Sequence, residues 1–148
     1  MIIGYTSGVF DLFHIGHLNL IKNAKSMCDK LIVGVTIDEL AAYKDKTPMI
    51  PFVERMEIVR SIKYVDAVVS QGDMDKFSMC KKLKASVMFV GDDWYNTEKW
   101  NAYERQFNTA GICIIYFPYT KGISSTKIGE ALKTARGWIL EDGYGDNQ

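Results

Sequence analysis

The chain is poor in the residues that build metal centres and disulfide frameworks, with three cysteines and two histidines among 148 residues. Cys28, Cys80 and Cys113 lie far apart and form no Cys-x-x-Cys pair, and there is no third histidine, which argues against zinc. Scattered thiols without a disulfide pattern fit a reducing compartment, so the expected location is cytoplasmic. An excess of one charge is also missing. Eighteen basic and eighteen acidic residues cancel, leaving no global attraction for nucleic acid or an anionic membrane. Any anionic ligand has to be held by local charge. No apolar run approaches the ~20 residues that span a bilayer. The N-terminus, Met1-Ile2-Ile3-Gly4-Tyr5, has no basic leader before a long apolar segment and reads as a core strand. There is no Gly-x-x-x-x-Gly-Lys-Ser/Thr, and no Gly-x-Gly-x-x-Gly follows the first strand, which excludes the P-loop and the dinucleotide fingerprint. No paired Cys and His set supports covalent catalysis.

What is present is alternation. Ile2, Ile3 and Tyr5 predict a buried strand ending at Thr6-Ser7-Gly8, and Leu18, Leu20, Ile21, Ala24 and Cys28 then recur at helical spacing. Leu31–Val35 reads as a parallel strand buried on both faces. Residues 38–53 read as a loop with one helical turn at most. A helix is expected over 53–62, with Met56, Val59 and Ile62 on one stripe. Strands follow at 67–69 and 87–90, with a helix between them carrying Phe77, Cys80 and Leu83 on one face. A helix over 98–110 turns Tyr103 and Phe107 inward, and a last strand covers 112–117. Ser124 then caps a helix through Ile128, Ala131, Leu132 and Ala135. Repeated strand-then-helix units predict an α/β fold, a single-domain, Rossmann-like parallel sheet with helices on both faces. The expected domain spans residues 1–136. Residues 137–148 are expected to form a partly flexible C-terminal extension, frayed from Glu141 to Gln148, with Trp138, Ile139 and Leu140 suited to docking on the core or on a partner subunit.

Three strand exits carry polar residues that a core does not need. At the first, both histidines flank a glycine in His14-Ile15-Gly16-His17, where a strand hands over to a helix. Unpaired N–H groups at a helix start and two imidazole donors suit a phosphate. At the second, Gly91-Asp92-Asp93-Trp94 offers two acids and an indole for ribose, base or metal. At the third, Tyr119-Thr120-Lys121-Gly122-Ile123-Ser124-Ser125-Thr126 supplies hydroxyls and cations at a helix start. All three fall on the carboxyl edge of the sheet, where open α/β sheets bind ligands. Lys44 and Lys46 lie in the loop after the second strand, where cations neutralise charge on a transferring phosphoryl group. Arg55 opens a helix, a poor place for a cation in the helix dipole, so it is expected to face an anion or an internal acid such as Asp66.

Phe10-Asp11 with His14-x-Gly-His17 resembles the first signature of the nucleotidyltransferase superfamily, and Gly122-Ile123-Ser124-Ser125-Thr126 resembles its second. With Gly91-Asp92-Asp93-Trp94, Glu54-Arg55 and Tyr64-Val65-Asp66, the chain is similar to the bacterial glycerol-3-phosphate cytidylyltransferases from first strand to last helix. The resemblance implies transfer of CMP from CTP to a small phosphate monoester, glycerol 3-phosphate above others, giving a CDP-alcohol and pyrophosphate. It implies Mg²⁺ bound with CTP, no secure protein ligand for the metal, and a homodimer. It assigns His14, His17, Lys44, Lys46, Ser125 and Thr126 to catalysis. Val9, Phe10, Asp11, Gly16, Arg55, Asp92, Asp93, Trp94, Thr120, Lys121, Ile123 and Ser124 become binding residues.

One segment departs from the pattern. The family carries Arg-Thr-Glu-Gly-Ile-Ser before the second signature, whereas here Tyr119 stands at the arginine position and Lys121 at the glutamate position. The positive charge has moved two residues along, without arginine's bidentate fork. Three alternatives stay open on the sequence. One is an adenylyltransferase acting on a phosphorylated cofactor precursor or sugar phosphate. Another is CTP-dependent transfer to phosphocholine or phosphoethanolamine, with Trp94, Tyr95 and Trp100 as a cation cage. The third is a nucleotide-binding subunit without turnover.

Overall fold

The computed structural model describes residues 1–43 and 47–118, together with the isolated helical positions Ile128, Glu130, Ala131 and Thr134. Lys44, Lys46, the segment from Tyr119 to Thr126 with its expected Ser124 cap, and the extension 137–148 lie outside the described residues.

The order of elements is β1 (Ile3–Gly8), α1 (Ile15–Ser26), β2 (Lys30–Thr36), α2 (Asp38–Tyr43), α3 (Phe52–Arg60), β3 (Ala67–Gln71), α4 (Lys76–Leu83) and β4 (Val87–Gly91). A 3₁₀ turn (Asp92–Trp94), α5 (Glu98–Thr109) and β5 (Cys113–Phe117) complete it. The five strands run in the order β3-β2-β1-β4-β5, and every pairing is parallel. Helices cover both faces because side chains alternate along each strand. Tyr5, Ile32 and Met88 point into a core under α4 and α5 with Cys80, Trp100 and Phe107. Leu31, Val33, Val35 and Phe89 point into a second core under α1 and α3 with Ile21 and Val59.

Several local expectations shift. Ile2 is half-exposed and precedes the strand, its N–H donating to Asp29 rather than joining the sheet. The 38–53 loop contains a six-residue helix, α2. In α5 the inward stripe begins with Trp100, one turn before Tyr103 and two before Phe107, so its indole is buried and unavailable to a cation cage. Gly34 lies at a close approach that tolerates no side chain. A Cβ there would stand 1.9 Å from the Tyr5 hydroxyl, which crosses β2 to donate to Gln71 Oε1.

Strand order reverses between β1 and β4, because the chain runs outward from β1 through β2 to β3 and then returns to start β4 on the other side. The two strands share only the rungs Gly4↔Val87 and Tyr5↔Met88. Beyond these, Thr6 Oγ1 donates to the Phe89 carbonyl at 2.8 Å, and the carboxyl ends continue without a ladder. This opens a crevice at the position where doubly wound sheets take ligands.

Candidate active site at the strand switch point

The turn leaving β1 is bent to bring its side chains onto α1. Phe10 and Leu12 hold left-handed backbone at φ 54° and 49°, an uncommon state for non-glycine residues that packing has to maintain. Phe10 is buried in the α1–α3 core, and its ring meets the His17 ring edge-on at 5.4 Å. Phe13 closes the same imidazole from another side at 5.2 Å. His17 is thus caged by carbon, while His14 stacks on it with centroids 3.9 Å apart.

The two histidines also cap the helix. His14 occupies the N-cap with extended backbone, and its Nδ1 accepts from the Gly16 N–H at 3.0 Å. His17, at the third helical position, returns the favour: its Nδ1 accepts from the His14 N–H at 3.2 Å. This is the reciprocal arrangement that Ser/Thr-x-x-Glu sequences make, built here from imidazoles. It decides their chemistry. An Nδ1 that accepts carries no proton, so each neutral ring bears its proton on Nε2. Burial lowers the pKa of His14. Burial, aided by the proximity of His14 and opposed by Asp11, pushes His17 down to about 4. Near pH 7 both rings are therefore neutral Nε2–H donors at the start of a helix with no acid in its first turn. Both the geometry and the helix dipole suit an anion.

Asp11 and Arg55 brace the turn. The Asp11 carboxylate accepts from the Met49 and Ile50 N–H groups, each at 2.9 Å, joining the histidine turn to the segment that follows the lysine loop. Arg55 is wholly buried and faces an internal acid, the second of the two expectations, and the acid it meets is Asp38 rather than Asp66. Its Nη1 donates to the carbonyls of Val9 (2.7 Å) and Thr36 (2.8 Å), its Nε to Ile50 (2.8 Å) and its Nη2 to Asp38 (2.5 Å). One guanidinium thus gathers the exits of β1 and β2 and the entry of α3. Asp38 also accepts the Phe52 N–H at 3.2 Å, capping α3 from a distance. Asp66 is taken by Lys25, at 2.7 Å, and by the Leu31 N–H.

At the β4 exit, Asp92, Asp93 and Trp94 form an exposed 3₁₀ turn on the same sheet edge as the histidines. Tyr95 beside it is exposed and lies edge-on to Tyr116 at 5.1 Å. Asp38, Thr36 and Thr6 are the participants that the sequence reading missed. Val9 serves through its carbonyl, and Gly16 through its N–H.

The described residues contain no group of three or more His, Cys, Asp or Glu placed to hold a metal ion. They do not fit a protein-built Mg²⁺ cage. Cys80 is unsuited to nucleophilic work, since burial pushes its thiol up to about 12. Among the described residues no helix is long and apolar enough to cross a membrane.

A switch-point crevice lined by a paired-imidazole helix start defines a nucleotidyltransferase site on a Rossmann-like fold. Residues 5–131 match the cytidylyltransferase-like family, and the chain belongs to it. Within that family it is similar to the glycerol-3-phosphate cytidylyltransferase of Staphylococcus aureus, 34% identical over 128 residues that span 86% of this chain and 92% of that protein. It is 43% identical over 89 residues to the FAD synthase of Pyrococcus abyssi, covering 58% of this chain and 60% of that one. Among solved structures, the lipopolysaccharide core biosynthesis protein of Thermoplasma volcanium superposes with a TM-score of 0.70 at 26% identity, over 83% of this chain and 99% of that one.

Proposed function

We propose that this protein transfers CMP from CTP to glycerol 3-phosphate, releasing pyrophosphate and forming CDP-glycerol. The observation that carries the reading is the tautomer-locked pair of Nε2–H donors at the switch point. Similarity to a glycerol-3-phosphate cytidylyltransferase across nearly its whole length supports the choice of substrates.

In this reading the acceptor's phosphate oxygen attacks the α-phosphorus of CTP, the bond to the β-phosphate bridging oxygen breaks, and pyrophosphate leaves with that oxygen. A phosphate monoester near neutral pH is already a nucleophile and needs no general base. The obstacle is repulsion between two polyanions. His14 and His17 donate to phosphoryl oxygens whose charge grows in the transition state, and burial strengthens those bonds. Asp11 and Arg55 act at one remove. They fix the histidine turn against the segment leading from Lys44 and Lys46, whose cations meet the acceptor and transferring phosphates. Asp92, Asp93 and Trp94 line the nucleotide or acceptor side. Thr120, Lys121, Ile123, Ser124, Ser125 and Thr126 support the phosphates from the third strand exit. Mg²⁺ arrives with CTP on phosphate oxygens. The reading includes a homodimer and a cytoplasmic location.

An adenylyl-transferring alternative is favoured by one finding, the similarity to FAD synthase over 58% of the chain. Pyrophosphate release with CTP or ATP against glycerol 3-phosphate, phosphocholine, phosphoethanolamine and sugar phosphates decides between them. CTP with glycerol 3-phosphate is the expected pair, and ATP preference overturns the reading.

A further inference from the structure

Two buried side-chain oxygens lack a hydrogen-bond partner among the described residues, Tyr116 Oη and Ser7 Oγ. Tyr116 has the Glu104 carboxylate close by. Ser7 has no charged group of that kind beside it. Side chains alternate along β1, so Ser7 faces the same side as Tyr5, toward α4 and α5, two residues nearer the ligand edge. The polar groups around it are already matched to one another. The Tyr5 hydroxyl, close to Ser7, has committed its proton to Gln71 Oε1. Gln71 Nε2 donates to the Asp73 carbonyl at 2.8 Å and, at 3.4 Å, to its carboxylate, which also accepts the Asp75 N–H at 2.9 Å. Asp75 in turn caps α4 by accepting the Ser78 N–H. A continuous run of hydrogen bonds thus leads from β1 to the start of α4 and leaves the Ser7 hydroxyl out.

A buried hydroxyl without a partner is costly, and alanine would occupy the same place without that cost. Ser7 lies past the last rung between β1 and β4, at the wall of the switch-point crevice, and as a whole residue it is only half-buried. Its hydroxyl therefore sits at the edge where ligands bind rather than deep in the core.

We infer, on the glycerol 3-phosphate reading above, that the Ser7 hydroxyl hydrogen-bonds an alcohol group of the acceptor and so selects a polyol phosphate over other phosphate monoesters. In that reading the phosphates of both substrates are met by cations and imidazole N–H groups, and nothing in that set reads the hydroxyls that mark glycerol. Ser7 is neutral, small and both donor and acceptor, which suits an alcohol. Its rung partner is Gly34 of β2, the strand that leads toward Lys44 and Lys46, so it stands on the acceptor side of β1. On the β4 side the same face carries Met88 and Val90, which bring no polar group.

The test measures pyrophosphate release by the full chain with CTP and glycerol 3-phosphate, and with analogues of the acceptor lacking one hydroxyl, the other, or both. Ser7→Ala is expected to raise the KM for glycerol 3-phosphate about tenfold, as loss of one neutral hydrogen bond does. The KM for CTP is expected to stay within about twofold of the parent, because uniform binding of the acceptor alone is lost. With the analogue that lacks the hydroxyl Ser7 reads, and with the one that lacks both, parent and variant are expected to match. In urea the variant is expected to unfold no earlier than the parent, since the hydroxyl has no partner to lose. An unchanged KM for glycerol 3-phosphate overturns the inference, because a fixed water then satisfies Ser7. So does a KM raised alike for every acceptor, which marks a structural defect, or one raised for CTP alone, which moves the contact to the nucleotide. A variant that unfolds earlier overturns it too, since the hydroxyl then has a partner within the chain. A parent idle with CTP and glycerol 3-phosphate overturns the proposed function and this contact together, whereas an active parent matched by Ser7→Ala overturns the contact alone.

Discussion

Replacing His14 by asparagine separates the two jobs of that imidazole. Nδ1 accepts the Gly16 N–H at 3.0 Å to cap α1, and Nε2 is left to donate to a phosphoryl oxygen. An asparagine carboxamide places its oxygen near the Nδ1 position and is a preferred N-cap, but nothing in it reaches as far as Nε2. His14→Asn should hold folding stability within ~0.5 kcal/mol of the parent. His14→Ala, which strands the Gly16 N–H, should lose about 1 kcal/mol, the usual cost of deleting a cap. At this chain length that corresponds to a melting point lower by about 2–4 °C. Both variants lose the same transition-state donor, so both should lose about 10²–10³ in kcat, equivalent to ~3–4 kcal/mol. Urea unfolding and pyrophosphate release on the same preparations check the pair. The reasoning fails if asparagine is as destabilising as alanine, since the cap is then not what Nδ1 does. It fails equally if asparagine keeps its rate within a few-fold of the parent, since Nε2 is then not the donor.

Arg55→Met should destabilise the fold by about 3–5 kcal/mol in urea, because it removes a buried cation and orphans the carbonyls that it gathers; a loss below ~1 kcal/mol would show the network to be incidental. The His17 pKa of about 4 lies below the ~6.5 of an unfolded histidine, so as pH falls the unfolded chain takes up the proton first. Its contribution to stability is complete above about pH 6.5 and declines down to about pH 4, by at most ~3 kcal/mol. Imidazole ¹⁵N shifts should report an Nε2–H tautomer at about pH 6.5 and above and its conversion to imidazolium only as the pH nears 4, and a His17 that titrates near 6.5 refutes the assignment. Gly34→Ala should cost about 1–3 kcal/mol by overpacking against Tyr5, and Tyr5→Phe in the same chain should recover part of it by removing the nearest atom. Strict additivity of the two in urea unfolding would count against the clash.

The alternation of strand and helix was legible because buried parallel strands such as Leu31–Val35 leave continuous apolar runs. The histidine turn was legible because both imidazoles fall three residues apart at a helix start. Its internal logic was not, since no propensity says that two histidines will cap each other. Arg55 announced itself by opposing the helix dipole, yet its partner was misread. Asp38 and Asp66 are both within reach in sequence, and the choice depends on where α2 turns off the end of β2 and on Lys25 claiming Asp66 first. Trp100 shares a helical stripe with Tyr103 and Phe107, so the sequence did hold the signal for its burial. Its proximity to Trp94 in the chain suggested a cage that the intervening turn and Thr97 cap direct away.

The two rungs between β1 and β4 make a seam down the middle of the sheet. On one side β3, β2 and β1 are laced along their length, and on the other β4 and β5 are. Across the seam, beyond Tyr5, the Thr6 hydroxyl is the stitch. A nucleotide gripped at once by the β1 exit and the β4 exit closes that seam from outside, as a clasp closes a garment. Opening of the sheet and release of the ligand then become the same motion. Such a ligand should raise the melting point in proportion to how firmly it is held, and should slow amide exchange first along the facing ends of β1 and β4.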